Sequence, residues 1–280
     1  MNQASLYAEV NGLQRVGTKQ FLDEFAKLIQ WRNNGYDSLI DIGSGTGDVL
    51  MDYVYPLLPQ NFKELVFSDI SEKMVHHAKK SYGSHERTQF KVLDISTDVV
   101  PQQLNERFDH VTSFFCLHWV DNQLKALENI YQLLKAEGGD CLQLVLASYF
   151  VFDYFEILAK DKKWSKYMQD YKSFISPLQH CADPAAKLKQ LLKQAGFVEC
   201  KVENRKIEYI YESRLNFFNF LKAVIVFFER IPAAQQEEFF EDIMDIAKSR
   251  NQCQFIENSN DYKVVTTYTL VMAYGRKPAG

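Results

Sequence analysis

Residues 38 to 47 read Ser-Leu-Ile-Asp-Ile-Gly-Ser-Gly-Thr-Gly, an apolar run followed by three glycines at alternate positions. A short apolar run with β-branched residues such as Ile40 and Ile42 predicts a buried β-strand. Glycine permits backbone angles that other residues avoid, and it lets a ligand approach the main chain closely. A strand that leads into such a turn is typical of nucleotide-binding α/β folds, although several kinds of cofactor share it.

The acidic residue before the first glycine, Asp41, narrows the choice of cofactor. A dinucleotide site presents backbone amides and a helix N-terminus to a pyrophosphate. S-adenosylmethionine has no phosphate and carries an amine and a sulfonium, so a carboxylate beside the loop suits it better. The pattern of Asp41, Gly43, Gly45 and Gly47 resembles the first motif of class I methyltransferases.

A second apolar strand, predicted at residues 64–70, brings another carboxylate to the same place. It contains Asp69, and in nucleotide-binding α/β folds an acid about 20 residues after the glycine loop binds the ribose hydroxyls. We therefore assign Asp69 and its neighbour Ile70 to the candidate cofactor site. Ser71 is a plausible N-cap for the helix that follows.

A third strand, predicted at residues 89–93, is followed by Asp94 and Ile95. The methyltransferase pattern implies that this acid reaches the adenine amino group and that its neighbour packs on the ring. The alternative is that the three acids only cap the helices that follow them, as Asp often does. Three strands in order, each ending in a carboxylate, are nevertheless more specific than any one of them.

Length and composition limit the class of protein. A chain of 280 residues with 46% hydrophobic residues can bury a large core. A formal charge of −4 argues against a nucleic-acid partner, which needs a basic face. We expect no signal peptide, and the sequence contains no membrane-length apolar run; it predicts a cytoplasmic protein, with monomer and homodimer both open. Five scattered cysteines suggest neither a metal site nor disulfides: Cys116, Cys141, Cys181, Cys200 and Cys253.

Strand-like and helical segments alternate along the chain, which predicts parallel βαβ units. With the class I resemblance, this implies one Rossmann-like α/β domain over residues 1–280, with a mostly parallel sheet and an antiparallel last strand. Within it we expect an N-terminal lid (1–35), a cofactor-binding core (36–148) and helical insertions over the substrate site (149–185 and 213–250), while the remainder completes the sheet. Further expectations are a helix at 18–31, strands at 197–202, 207–211 and 262–274, and a helical block at 215–248.

The fourth strand, predicted at residues 109–115, leads into Leu117-His118-Trp119. Its carboxyl end flanks the point where such sheets bind ligands. His118 is a candidate base or hydrogen-bond donor, although a histidine of unknown surroundings is more often structural. Trp119 offers an indole N–H and a broad apolar face, or it is a core tryptophan. Gln14 precedes the first strand, and composition alone gives it no role.

A narrower resemblance rests on four segments of the chain. Asn-Gly-Leu-Gln at residues 11–14, the glycine loop, Leu-His-Trp at 117–119 and Phe-Ile-Ser-Pro at 174–177 look like insect juvenile hormone acid methyltransferases. The likeness runs from Leu6 to Arg276. It implies that Gln14 and Trp119 hold the carboxylate of the substrate, with His118 nearby. The acceptor is then an apolar acid such as juvenile hormone acid or farnesoic acid.

The chemistry agrees with that implication. A carboxylate is already ionised near neutral pH, since its reference pKa is about 4. Methyl transfer to it therefore needs no general base, and alignment can lower the barrier by roughly 7–11 kcal/mol. Neutral donors orient one oxygen while the other stays nucleophilic. The aromatic residues of the two insertions then cover the apolar tail, unless they serve only as core packing.

Departures from the family pattern leave two alternatives open. The family commonly has Asp-Ala where this chain has Gly17-Thr18, and we expect the Asp to be a helix-start acid. Gln143 stands in the fifth strand where an apolar residue is expected. The main interpretation is a methyltransferase that acts on the carboxylate of an isoprenoid acid. The two alternatives are a methyltransferase with another acid or a hydroxyl acceptor, and a non-catalytic paralogue that binds an isoprenoid acid.

Overall fold

An eight-stranded sheet forms the centre of the protein within residues 3–258 and 261–280, which are those that the computed structural model describes. Residues 1 and 2 of the predicted lid segment, and residues 259 and 260 near the last strand, lie outside them. The strands are β1 (Ser38–Ile42), β2 (Glu64–Asp69), β3 (Thr88–Val92), β4 (His110–Phe114), β5 (Gly139–Tyr149), β6 (Val198–Tyr211), β7 (Cys253–Asn258) and β8 (Asp261–Lys277).

The order of the strands is β3-β2-β1-β4-β5-β8-β6, and β7 pairs with β8. Strands β1 to β5 are parallel to one another, whereas β8 runs antiparallel to both β5 and β6. This topology confirms the predicted Rossmann-like fold with a mostly parallel sheet and an antiparallel last strand.

Both faces of the central strands are buried, which explains why they read as continuous apolar runs. Successive side chains of a strand point to opposite faces. Leu39 therefore belongs to one core cluster, and the next residue, Ile40, belongs to the other. All five residues of β1 are buried.

Helices cover the two faces. They are α1 (Ala4–Val10), α2 (Gly12–Phe25), α3 (Glu72–Tyr82), α4 (Gln123–Leu133), α5 (Phe150–Leu158), α6 (Pro184–Gln194), α7 (Arg214–Val224), α8 (Phe227–Arg230) and α9 (Gln236–Ser249). Ser71 caps α3 as predicted, because its hydroxyl accepts a hydrogen bond from the Met74 amide. No helix among the described residues is long and apolar enough to cross a membrane.

Several predicted boundaries were wrong. The helix predicted at 18–31 is α2, which begins at Gly12, and the chain then passes through a 3-10 turn at Ala26–Leu28. The strands predicted at 197–202 and 207–211 form the single strand β6, because β8 pairs with it along its length. The helical block predicted at 215–248 is divided into α7, α8 and α9, and the following strand β7 was not predicted.

The carboxyl ends of β1, β2, β4 and β5 meet at one edge of the sheet, because these strands are parallel. The segments after β5 and β6 also start at this edge, and they carry α5 and α7 to α9. Helices α2, α5, α7 and α9 contribute to the same core cluster, whereas α4 and α6 contribute to the cluster on the other face. The division into lid, core and insertions stays a prediction.

Candidate active site

The glycine loop follows β1 directly. Gly43, Gly45 and Gly47 have φ angles of 75°, 56° and 85°, in the left-handed region that favours glycine. A Cβ atom on Gly43 would lie 2.4 Å from the Sγ of Cys116, in the segment after β4. The loop thus needs glycine both for its backbone angles and for its close approach to the neighbouring segment.

Asp41 lies under this loop near the carboxyl end of β1. Its Oδ1 accepts a hydrogen bond of 2.6 Å from the hydroxyl of Thr112, which is its neighbour across the sheet. Burial raises the pKa of the Asp41 carboxyl to about 7, and the negative charge of Asp69 adds to this. A cationic ligand beside Asp41 would favour its charged form.

Asp69 is held at the end of β2 by two backbone amides. Gly45 N–H donates to its Oδ2 at 3.0 Å, and Ser71 N–H donates to its Oδ1 at 2.8 Å. Each carboxylate oxygen has a second lone pair, so both can still accept from a ligand hydroxyl. The side chain of Ile70 is 65% exposed and offers an apolar surface beside this acid.

Asp94 and Ile95 follow β3. Asp94 is exposed, and its Oδ1 accepts from the amide and the hydroxyl of Ser96. Ile95 is 5% exposed and packs in the core cluster that contains α4, so little of its side chain reaches the surface. The structure brings Asp94 to the predicted edge, whereas it places Ile95 mostly in the interior.

The thiol of Cys116, in the segment after β4, lies next to the glycine loop at the same edge of the sheet as the three predicted carboxylates. Burial, together with the charges of Asp69, Asp41 and Asp94, raises the pKa of Cys116 to about 12. The strands β1, β2 and β3 are parallel neighbours, so the three acids lie at one edge of the sheet. A common cofactor site for Asp41, Asp69 and Asp94 stays a prediction, and the sequence gave no role to Cys116.

An apolar cavity lies beside the glycine loop. Gln14 of α2, His118 and Trp119 line it, as do aromatic and aliphatic side chains of α5 and α7 that include Phe152, Phe155, Phe220 and Leu221. The cavity therefore joins the predicted carboxylate-binding residues to the two helical insertions.

The polar groups of this cavity are neutral. Gln14 Oε1 and His118 Nδ1 are buried and have no hydrogen-bond partner among the described residues. Burial lowers the pKa of His118 to about 3, so its imidazole is uncharged near neutral pH. The His118 ring lies 4.6 Å from the Trp119 ring, measured between centroids. No lysine or arginine lines the cavity in the part of the chain that the structure describes.

Tyr7 was missed by the sequence analysis. It lies on α1, lines the cavity, and places a ring carbon 3.6 Å from where a Cβ of Gly45 would be. It therefore contacts both the glycine loop and the substrate side. Only its place before Gln14 in a segment that the sheet does not explain hinted at a role.

Gly17 has a packing role that the sequence analysis did not find. It lies inside α2, so an acid at this position would not be a helix-start acid, and that expectation was wrong. A Cβ on Gly17 would lie 2.9 Å from the Phe115 ring and 3.1 Å from Leu270. Glycine here lets α2 approach the sheet next to the cavity. Gln143 is buried in β5 and does not line the cavity.

Comparison with known proteins agrees with this arrangement. The profile of a family described as "Methyltransferase domain" matches residues 40–140, which contain the glycine loop and the acids. The YcgJ protein from Bacillus subtilis superposes with a TM-score of 0.59 at 16% identity, over 93% of this chain and 99% of its own. Phosphoethanolamine N-methyltransferase 2 of Haemonchus contortus, solved with S-adenosyl-L-methionine, superposes with a TM-score of 0.53 at 15% identity, over 92% and 52%.

Two curated relatives match almost the whole chain. Juvenile hormone acid O-methyltransferase of Drosophila melanogaster is 50% identical over 99% of this chain and 93% of its own. The protein of the same name from Bombyx mori is 34% identical over 99% and 98%. Identity at this level over the full length shows common family membership: the chain belongs to the juvenile hormone acid O-methyltransferase family.

Proposed function

We propose that this protein is an S-adenosylmethionine-dependent O-methyltransferase that esterifies the carboxylate of an apolar isoprenoid acid, juvenile hormone acid or farnesoic acid. One observation carries the proposal: neutral, unpartnered polar groups line an apolar cavity directly beside the glycine loop. A half-turn of the Gln14 amide about its last bond places Nε2 where the unpartnered Oε1 lies, and the cavity then offers a donor that fits an anionic head on an apolar tail. The names of the two full-length relatives support the choice of acid.

The cofactor site is assigned to the edge where the three carboxylates meet. Asp41 would lie near the cationic part of the cofactor. Gly43 and Gly45, which have no side chains, would let the cofactor approach the backbone of the loop closely. Asp69 would accept hydrogen bonds from the ribose hydroxyls. The exposed Ile70 and Asp94 would face the adenine, with Ile95 supporting them from the core. When bound, S-adenosylmethionine supplies a methyl group activated by a positively charged sulfur.

Gln14 and Trp119 would hold the acid by donating to one carboxylate oxygen. Both are neutral donors, so they orient the carboxylate without the strong stabilisation that an arginine would give. The acid reacts in the ionised form that it already has near neutral pH. His118, with a pKa of about 3, is a poor base and is assigned a positioning part beside Trp119.

The apolar tail would lie among the aromatic side chains of α5 and α7. Burying apolar surface contributes roughly 25 cal/mol per Å², so a hydrocarbon tail gains affinity in proportion to its length. Phe152 and Phe155 approach the cavity from α5, whereas Phe220 and Leu221 approach it from α7. These contacts also exclude water from the carboxylate, which strengthens its hydrogen bonds.

The test is an assay of labelled methyl transfer to a panel of acids. We expect turnover of farnesoic and juvenile hormone acids, weaker turnover of short acids, and none of the matching alcohols. Calorimetry of cofactor binding on the same preparation shows that the protein is competent. Binding of cofactor without transfer to any acid would overturn the proposal, and tight binding of the acid in that case would indicate the non-catalytic paralogue.

A cytoplasmic location belongs to the same proposal. All five cysteines are free thiols, as is usual for proteins of a reducing compartment.

A further inference from the structure

The corner between α1 and α2 is tied to the end of the glycine loop. Asn11 forms this corner and is 2% exposed. Its Nδ2 donates a hydrogen bond of 2.6 Å to Oδ2 of Asp48, the residue directly after Gly47. A buried amide at a helix corner therefore depends on one carboxylate of the cofactor loop for its hydrogen bond.

The same carboxylate takes donors from two other positions. Arg15 of α2 donates through Nη1 to Asp48 Oδ2 at 3.0 Å. Thr46, inside the loop, donates its hydroxyl to Asp48 Oδ1. The side chains of Arg15 and Asp48 are 32% and 16% exposed, so the ion pair is partly shielded from solvent. Asp48 thus links the helical pair on one oxygen and the loop on the other.

The two residues that face the cavity lie on either side of this link. Tyr7 is on α1, about one turn before Asn11, and Gln14 is on α2 between Asn11 and Arg15. A helix is stiff over so short a distance, so the position of Asn11 and Arg15 sets the position of Gln14. The two helices, residues 4–25, make up most of the predicted N-terminal lid (1–35).

We propose that Asp48 is a positioning residue that sets the N-terminal lid, and with it the Gln14 amide, in register with the glycine loop. This inference rests on the proposed function, in which Gln14 holds the substrate carboxylate. Asp48 itself contacts neither the cavity nor the three cofactor acids. Asp48 affects methyl transfer through the placement of Gln14. The conformation of the glycine loop thereby influences binding of the acid.

The first test compares two variants of Asp48 with one control variant. Asp48→Ala removes every acceptor and leaves the Asn11 amide buried and unpaired. Asp48→Asn keeps one acceptor oxygen and loses the charge. We expect KM for the acid to rise about 100-fold in Asp48→Ala and about tenfold in Asp48→Asn, as for loss of charged hydrogen bonds. Cofactor affinity should change less than about threefold.

Asp52→Asn is the matched control. Asp52 accepts from the other nitrogen of the same guanidinium, Arg15 Nη2, at 2.6 Å, and it lies on the surface. Among the described residues, Asp52 has no hydrogen bond to Asn11 or Thr46. Activity should therefore stay within about twofold of the unmodified protein. An equal loss in Asp52→Asn and Asp48→Asn would show that losing any charge beside Arg15 has this effect, and would overturn the proposal.

A double-mutant cycle separates positioning from a general structural effect. If Asp48 acts through Gln14, Asp48→Ala should cost little further activity in a Gln14→Ala background. Additive losses, or a loss of cofactor affinity with unchanged KM for the acid, would overturn the positioning role. Should Asp48→Ala fail to fold, Asn11→Ala removes the same bond from the side of the lid and takes its place.

A second measurement does not require activity. Hydrogen exchange of residues 4–25 should slow when S-adenosylhomocysteine is added, because the ordered loop fixes Asp48 and the lid with it. Asp48→Ala should abolish this slowing, whereas Asp52→Asn should keep it. Protection that persists without Asp48 would overturn the inference. If no acid is methylated but this linkage is found, the proposed function fails while the role of Asp48 in lid placement stands.

Discussion

His110 and His118 lie at opposite ends of β4, and their side chains are 1% and 3% exposed. At the amino end, His110 Nδ1 lies 2.7 Å from Asp140 Oδ1, and its Nε2 lies 2.9 Å from Asp37 Oδ1. At the carboxyl end, His118 Nδ1 has no partner among the described residues. Two histidines eight positions apart therefore have opposite surroundings.

Their charges differ for that reason. Burial alone would lower the pKa of His110, but its hydrogen bonds to Asp140 and Asp37 outweigh burial and raise it to about 9. Burial without a charged partner lowers the pKa of His118 to about 3. The first imidazole is positively charged near neutral pH, and the second is neutral.

The two ends of the sheet differ in the same way. At the amino end, Asp140 and Asp37 also accept from the backbone amides of Gln30 and Arg32, so the cluster fastens the segment after α2 to the sheet. At the carboxyl end, polar groups of Gln14 and His118 are left for a ligand. Paired charges stabilise the fold at one edge, and unpaired neutral groups line the cavity at the other.

The largest expected effect is on stability, at the amino end. His110→Gln should lower the free energy of unfolding by about 3–5 kcal/mol, because it leaves two buried carboxylates without their cation. Urea denaturation measures this. The specific activity of the folded fraction should not change. His180→Gln is the control, since His180 is exposed and lies 3.9 Å from Asp153. A loss below about 1 kcal/mol, as at surface pairs, would break the comparison.

Stability should also fall as pH rises. The folded-state pKa of His110, about 9, lies above the unfolded value of about 6.5, so its contribution is complete below pH 6.5 and is lost as pH rises through 9. At about 1.4 kcal/mol per pKa unit, the loss amounts to up to about 3.5 kcal/mol. The difference in unfolding free energy between the unmodified protein and His110→Gln, measured from pH 6 to pH 10, isolates this group. A constant difference would contradict a charged His110.

At the carboxyl end the effect should fall on activity instead. Gln14→Ala should lower kcat/KM about 100-fold, as expected when a hydrogen bond to a charged group is lost, while the unfolding free energy changes little. Gln143→Leu is the matched control, because Gln143 also has a buried, unpartnered oxygen but does not line the cavity. Its activity should be retained. Equal losses in the two variants would mean that Gln14 acts only through packing.

The smallest effect should come from His118. With a carboxylate acceptor, His118→Gln should lower kcat less than about fivefold, since general-base catalysis typically contributes 10²–10⁴-fold and none is needed here. With saturating cofactor, whose cation keeps Asp41 charged, kcat should be independent of pH between 6 and 8, because the pKa of His118, about 3, lies well below that range. A bell-shaped profile or loss of activity would instead favour a hydroxyl acceptor.

Local patterns were sufficient wherever neighbours in sequence decide the structure. The glycine loop after β1 was predicted because positive φ angles require glycine, and the acids Asp41, Asp69 and Asp94 were predicted because parallel strands end at one edge. Helix boundaries were predicted less well. Helix α2 begins at Gly12, where the packing of Tyr209 leaves no room for a side chain, and Tyr209 is distant in the chain. Strand β7 was missed although β8, with which it pairs, follows it directly in the chain.

The amino-acid sequence by itself determined the alternation of strands and helices as far as β5, the candidate cofactor edge and, through the family resemblance, the candidates Gln14 and Trp119. Only the tertiary structure decided which buried groups are paired: it gave His110 two carboxylates and His118 none, and it placed Tyr7 against the glycine loop. The reason is physical. Hydrogen bonding, burial and charge depend on atoms distant in the chain, whereas strand and turn preferences depend on adjacent residues.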